Sequence, residues 1–151
     1  MSEDIVANEA AAAMSRLQQI LTDMHPQAAE IVTGQVAIER ELRQILKSRF
    51  ANPDRLPNLK AAHVLALLEA TTIDAWTLLV LDAAAAFTNV RNAIAHAENA
   101  PGLKRAINRL FDAMEHIASR PDPDTVKFGS VALGIVAALH LAFGEGGTLA
   151  S

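Results

Sequence analysis

Apolar residues recur along most of the chain at intervals of three and four, the spacing of an amphipathic α-helix. The clearest stripe places Ile31, Ile38 and Leu42 on one face of a single segment. Prolines, glycines and short polar runs separate this segment from the others. The pattern predicts six helices, at residues 4–24, 27–50, 59–70, 73–97, 103–119 and 126–143.

Composition supports an all-α class. Hydrophobic residues make up 51% of the chain, mostly Ala, Leu, Ile and Val, and there is no Tyr. Ala and Leu favour helices, whereas β-rich chains favour aromatic and β-branched residues. Short connections favour antiparallel neighbours, so we predict an up-and-down bundle of five to six helices, forming a single domain over residues 1–151.

The third and sixth predicted helices are apolar nearly all round. In a chain of 151 residues, a helix without a polar face usually needs a partner subunit to cover it. We therefore expect a homodimer. The first helix differs, because its Ala10–Ala13 stretch has high helix propensity but little apolar surface to bury.

Two local interactions are expected from residue spacing. Thr72 precedes the fourth predicted helix and is a suitable N-cap. Glu39 and Arg43 stand four residues apart on the second helix, where they can form an ion pair.

Several kinds of chemistry are excluded by residue content. The chain has no cysteine, so it has no disulfide, thiolate nucleophile or zinc–thiolate site. Its five histidines show no metal-binding spacing, and no glycine-rich loop precedes a helix to hold a phosphate. We therefore predict no metal and no cofactor.

The charge distribution restricts where an anionic partner can bind. The net charge is −4, which gives no global attraction for nucleic acid. Segment 101–120 has four basic residues against two acidic ones, and segment 27–50 has four against three. These two segments are the candidate basic surfaces.

The sequence predicts neither a membrane-spanning segment nor an export signal. It begins Met-Ser-Glu-Asp, without the basic residues that open a signal peptide. The apolar run 128–143 is shorter than the roughly 20 residues that span a bilayer. We expect a cytoplasmic protein without a membrane partner.

The end of the fourth predicted helix carries the candidate site. Asp82, Asn89, Asn92 and His96 fall on one polar stripe within an alanine-rich segment. Small neighbouring residues allow another backbone or a ligand to approach closely. Arg91 lies in the same stretch, five residues before His96.

The string from Arg91 to His96 resembles the R-x4-6-H signature of the HEPN superfamily, including the polar residue, here Asn92, that often follows its arginine. The preceding elements also resemble the family: an amphipathic helix at 34–46 containing Glu39, a short apolar helix and a long helix ending in the signature. The resemblance covers roughly residues 27–118, and the apolar helix at 126–143 follows it.

The resemblance implies a helical domain that dimerises with its two signature helices near the two-fold axis. Many such domains are metal-independent endoribonucleases, and some are toxins paired with an antitoxin. Other relatives, including the mannitol-repressor-like proteins, are regulatory or binding modules without shown catalysis. Some toxins of the family carry a Tyr two residues after the His. This chain departs from their pattern, because it has Glu98 at that position.

Under the nuclease hypothesis, His96 is the general base or acid, Arg91 holds the phosphate and Asn92 positions it. Asn89 and three basic residues of the next helix would bind the RNA: Lys104, Arg105 and Arg109. Arg91 and His96 are about 140° apart around a straight helix, so a dimer would be needed to bring both into one site.

A structural hypothesis stands beside the catalytic one. The same side chains can brace the helix end, with His96 near the helix dipole and Arg91 paired with Asp82 or Glu39. The chain would then be a non-catalytic interaction module with a regulatory protein partner.

Overall fold

The computed structural model describes residues 3–96 and 100–144, apart from the side chains of residues 17, 18 and 20–24. These residues form six α-helices and one turn of 3-10 helix, and they contain no strand. The all-α prediction is therefore confirmed. In chain order the helices are α1 (Glu3–Met24), α2 (Ala28–Ser48), the 3-10 turn (Pro53–Arg55), α3 (Ala61–Thr71), α4 (Ala75–Ala95), α5 (Ala100–Ile117) and α6 (Phe128–Phe143).

Helix α4 lies at the centre of the fold and contacts every other α-helix. Eleven of its 21 residues are buried, including Val80, Phe87 and Ile94. Within the described ranges, α4 is also the one helix long and apolar enough to cross a bilayer, but half of that apolar window is buried in the fold. Its central position in the core accounts for its apolar sequence.

Helices α2 and α6 pack side by side and run in the same direction. Gly34 lies against Ala132 near one end of the pair, and Glu41 lies against His140 further along, with 3.5 Å between the carboxylate Oε1 and the imidazole Nδ1. The contact at Gly34 is very close, because a Cβ there would lie 2.6 Å from the Cβ of Ala132. This glycine therefore sets the distance between the two helices.

The turn between α1 and α2 is fixed to the start of α6. The Gln27 side chain donates to the carbonyl of Val126 over 2.8 Å and accepts from the Phe128 N–H over 2.8 Å. The His25 ring packs edge-on against Phe128 and accepts the Gln27 N–H at Nδ1. Burial lowers the pKa of His25, which favours the neutral ring that this hydrogen bond requires.

Two expected local interactions are wrong. Asp74, not Thr72, is the N-cap of α4, because the Asp74 carboxylate accepts the Thr77 N–H over 2.9 Å. Thr72 instead closes α3 by donating to the carbonyl of Leu68. Arg43 donates to the carbonyl of Leu59 rather than to Glu39. In both places the side chain donates its hydrogen bond to a backbone carbonyl instead of to the partner that the spacing predicted.

The close approach at Gly34 generates a prediction about stability. Gly34→Ala should lower the free energy of unfolding by about 1–3 kcal/mol, because the new methyl group overlaps Ala132 and also lies 3.0 Å from the Phe87 ring. Gly134→Ala is the matched control: the nearest atom to its new Cβ is 3.9 Å away, and alanine is the better helix former by up to about 1 kcal/mol. Urea denaturation of both variants gives the comparison, and equal effects would contradict the packing argument.

Candidate functional site

A cavity of about 330 Å³ lies between α4 and α5. Its polar lining consists of residues that the sequence placed in the candidate site, two amides from α4 and two guanidinium groups from α5. The full lining is Asn89, Asn92, Ala93, Gly102, Arg105, Ala106 and Arg109.

Helix geometry explains why these four polar side chains share the cavity. Asn89 and Asn92 are three residues apart on α4, and Arg105 and Arg109 are four residues apart on α5, so each pair occupies one helical face. Between the two pairs the lining is small, with Gly102 buried. The cavity therefore has a floor of small residues and a polar rim.

The cavity carries a local positive charge. Among the residues that the structure describes, no acidic side chain lines it and neither Arg105 nor Arg109 forms an ion pair. The chain as a whole has a net charge of −4, so this site has the opposite sign to the protein average. Two guanidinium groups beside two carboxamides can hold a phosphate through charge-assisted hydrogen bonds.

His96 caps α4 at its carboxyl end, one turn beyond Asn92. Its backbone N–H donates to the carbonyl of Asn92 over 2.9 Å, and its side chain is exposed. Because the two residues are four apart, His96 continues the helical face that carries Asn92 to the cavity. The imidazole is exposed to solvent, but His96 is not among the residues that line the cavity. Glu98, the departure from the toxin pattern, falls outside the described residues.

Arg91 is directed to the other side of α4. Its Nη2 donates to Oε1 of Glu39 on α2 over 3.3 Å, and it does not line the cavity. About a third of the Arg91 side chain remains exposed, compared with about a quarter of Glu39. The geometry separates Arg91 from the Asn92 face within one protomer, as the 140° angle expected from the sequence requires.

The ion pair belongs to a larger polar contact between α2 and α4. The Gln35 amide donates to Oε1 of Glu39 over 3.1 Å and to the Thr88 hydroxyl over 2.8 Å, and Thr88 donates to the carbonyl of Ala84. Two buried atoms here, Nε of Arg91 and Oε1 of Gln35, have no hydrogen-bond partner. Buried polar atoms are usually paired, so these two atoms are the place in the contact where an ordered water would bind.

Lys104 and Asp82 are both exposed and lie outside the lining of the cavity. Sequence reasoning overlooked Gln35 and Thr88, which join Arg91 to α2. A sequence signal was available for Gln35: it stands four residues after Ile31 and seven before Leu42, a polar residue on the buried stripe of α2.

The described residues contain no group of three or more His, Asp or Glu side chains placed to hold a metal ion. The ligand chemistry that the cavity offers is instead that of hydrogen-bond donors and fixed positive charge, which suits an oxyanion.

The Glu39–Arg91 pair gives a testable expectation. A double-mutant cycle with Glu39→Gln and Arg91→Gln should yield a coupling energy of about 1 kcal/mol in the free energy of unfolding, since both partners keep contact with water. Arg105→Gln, which removes an exposed arginine that has no ion pair with a described residue, should change stability by less than about 0.5 kcal/mol. Urea denaturation of the set measures both, and zero coupling would show that Arg91 does not brace α4 against α2.

Comparison with protein-family models, with curated proteins and with solved structures gives no match for this chain. The geometry of the site is therefore what indicates a function for this chain.

Proposed function

We propose that this chain is a HEPN-type, metal-independent endoribonuclease that acts as a cytoplasmic homodimer and holds RNA phosphates in the cavity between α4 and α5. The observation that carries the proposal is the positive rim of Arg105 and Arg109, which form no ion pair with a described residue and lie beside Asn89 and Asn92. The exposed His96 lies one helical turn beyond Asn92. A role as a toxin or defence component is part of the same proposal.

The site residues fit the chemistry of RNA cleavage without a metal. The 2′-hydroxyl of the ribose loses its proton to an imidazole and attacks the adjacent phosphorus, and the bond from phosphorus to the 5′-oxygen breaks. The departing 5′-oxygen takes up a proton, leaving a 2′,3′-cyclic phosphate and a 5′-hydroxyl. His96 serves as the base or the acid, while Arg105 and Arg109 stabilise the charge on the phosphoryl oxygens.

The cavity changes the role proposed for Arg91. Its guanidinium is held by Glu39, so we assign phosphate binding within one protomer to the α5 arginines and a positioning role to Arg91. In a homodimer the exposed third of the Arg91 side chain is available to a site on the second copy.

A second candidate function is a non-catalytic regulatory or protein-interaction module, like the mannitol-repressor-like proteins. The observation that favours it is the same Arg91–Glu39 ion pair, because a guanidinium held by a carboxylate is typical of a structural brace. Under this alternative, His96 caps α4 and has no catalytic role.

Cleavage of RNA separates the two functions. The purified protein should cleave single-stranded RNA in the presence of EDTA, giving 2′,3′-cyclic phosphate ends, and His96→Ala should lower the rate at least about 100-fold. The matched control is His63→Ala, which changes another exposed histidine, on α3. Equal activity of wild type and His96→Ala, or no cleavage by either, would favour the interaction module.

Binding of uncleaved RNA tests the cavity separately. With a substrate whose 2′-hydroxyls are methylated, Arg105→Ala and Arg109→Ala should each weaken binding by about tenfold and lower the salt slope of log K by roughly one phosphate contact. Lys104→Ala, which removes a neighbouring positive charge outside the cavity, should have a smaller effect. If the three variants lose affinity equally, general electrostatic attraction explains binding and the cavity does not.

A further inference from the structure

The turn after α1 meets the start of α6 at a contact formed by His25, Gln27 and Phe128, here called the His25 contact. The Nδ1 atom of His25 accepts the Gln27 N–H over 3.0 Å. The centroids of the His25 and Phe128 rings are 5.2 Å apart, at an interplanar angle of 86°. Phe128 is buried and stacks on Phe111 of α5. His25 therefore joins the end of α1 to the aromatic core at the start of α6.

The His25 contact requires an uncharged imidazole. In a neutral ring one nitrogen can accept a hydrogen bond, whereas both nitrogens of the charged ring carry a proton. A protonated Nδ1 would therefore face the Gln27 N–H as donor against donor. The same glutamine ties α2 to α6, because its carboxamide donates to the carbonyl of Val126 and accepts the Phe128 N–H. A change at His25 thus acts directly on the residue that holds the first turn of α6.

Helix α1 depends on its carboxyl-terminal end for attachment to the bundle. It contacts α2 and α4, but residues 3–16 are all exposed, so this stretch buries little surface. A helix that does not pack against other elements is only marginally stable in water at lengths below about 12–15 residues. His25 directly follows the last residue of α1, Met24. The position of the His25 ring therefore affects how α1 is held.

Mild acid acts on this contact through His25 itself. Histidine is the side chain whose unperturbed pKa puts its charge change between about pH 5 and 8. Burial lowers the pKa of His25, and none of the ion pairs among the described residues includes its ring. The charged residues on the elements that pack around the contact are Glu30 on α2, Asp112, Glu115 and Arg120 on or just after α5, and Asp122, Asp124 and Lys127 before α6, while the side chain of Asp23 lies outside the described part.

We propose that His25 is a pH-sensitive switch: its protonation opens the His25 contact and frees α1 from the start of α6, while α2 to α6 stay folded. The neutral ring contributes its full stabilisation above the ordinary histidine pKa of about 6.5, and this contribution is lost as the pH falls from there towards the lowered pKa of the folded ring. Acid has the opposite effect further along α6, because a protonated His140 attracts the Glu41 carboxylate 3.5 Å away. The switch goes beyond the proposed function and requires no RNA.

Amide hydrogen exchange, followed by NMR in the full chain, tests the switch. Between pH 7.5 and pH 5.0, the protection factors of the Gln27 and Phe128 amides should fall at least about threefold after correction for the intrinsic exchange rate, because both N–H groups belong to the contact. The amide of Val90, at the centre of the fold, should keep its protection. The pKa of His25, read from the chemical shifts of its ring protons, should lie below about 6.5.

His25→Asn separates the charge of the ring from its hydrogen bond, because a carboxamide oxygen can accept the Gln27 N–H and does not titrate. This variant should lose the acid dependence at Phe128, whereas His116→Asn, on an exposed histidine of α5, should retain it.

Three results would overturn the proposal: unchanged protection of the wild type at pH 5.0, an equal acid-induced loss in His25→Asn, or a simultaneous loss at Val90. If His25→Asn does not fold, the wild type alone decides, since its protection at Phe128 must begin to fall near about pH 6.5 and level off below the titration midpoint of His25. A loss of protection outside that range would also overturn the switch. Because these measurements involve no RNA, a failure of the proposed function would leave their outcome unchanged.

Discussion

The burial of α4 is the constraint on which the rest of the structure depends. Its apolar residues fill the centre of the fold, so its direction and rotation are fixed by packing on several sides. A helix held in this way can present polar residues only where its neighbours leave room. The orientation of α4 about its own axis therefore determines both polar regions, the one that faces α2 and the one that faces α5.

Each region uses a different kind of polar interaction. Facing α2, Thr88 and Arg91 meet Gln35 and Glu39 in direct contact, and the charges compensate each other. Facing α5, Asn89 and Asn92 meet arginines across an open cavity, and no described acidic residue compensates the positive charge. Uncompensated charge contributes little to folding and is free to interact with a ligand, which is why we place binding on the α5 side.

Most of the fold follows from periodicity in the sequence. The six predicted helices all occur, because each has either a strong apolar stripe or a nearly continuous apolar surface, and proline or glycine separates them. Helix ends were harder to place. The predicted N-cap of α4 is Thr72, whereas the observed N-cap is Asp74. Both side chains can cap a helix and they lie within three residues, but only the Asp74 carboxylate accepts the Thr77 N–H in the folded chain.

The candidate site was predictable in part. The cluster of Asn89, Asn92, Arg105 and Arg109 follows from helical faces and an antiparallel neighbour, both of which the sequence indicates. The partner of Arg91 was one of two alternatives, because pairing across α2 and α4 depends on how the helices rotate against each other. The role of Gly34 was not foreseen, since a glycine within a helix indicates a close approach only when the opposing helix is known.

Dimerisation would have different effects on the two polar regions of α4. The Glu39–Arg91 ion pair forms within one chain, so a second copy can use only the exposed third of the Arg91 side chain. The α5 arginines have no partner in the described part of the chain, so bringing two such cavities together costs electrostatic repulsion that falls with salt and with bound polyanion. An apolar contact elsewhere on the surface can hold two copies together without neutralising these arginines. The free energy of association and the free energy of anion binding can then change independently of each other, although both depend on the packing of α4.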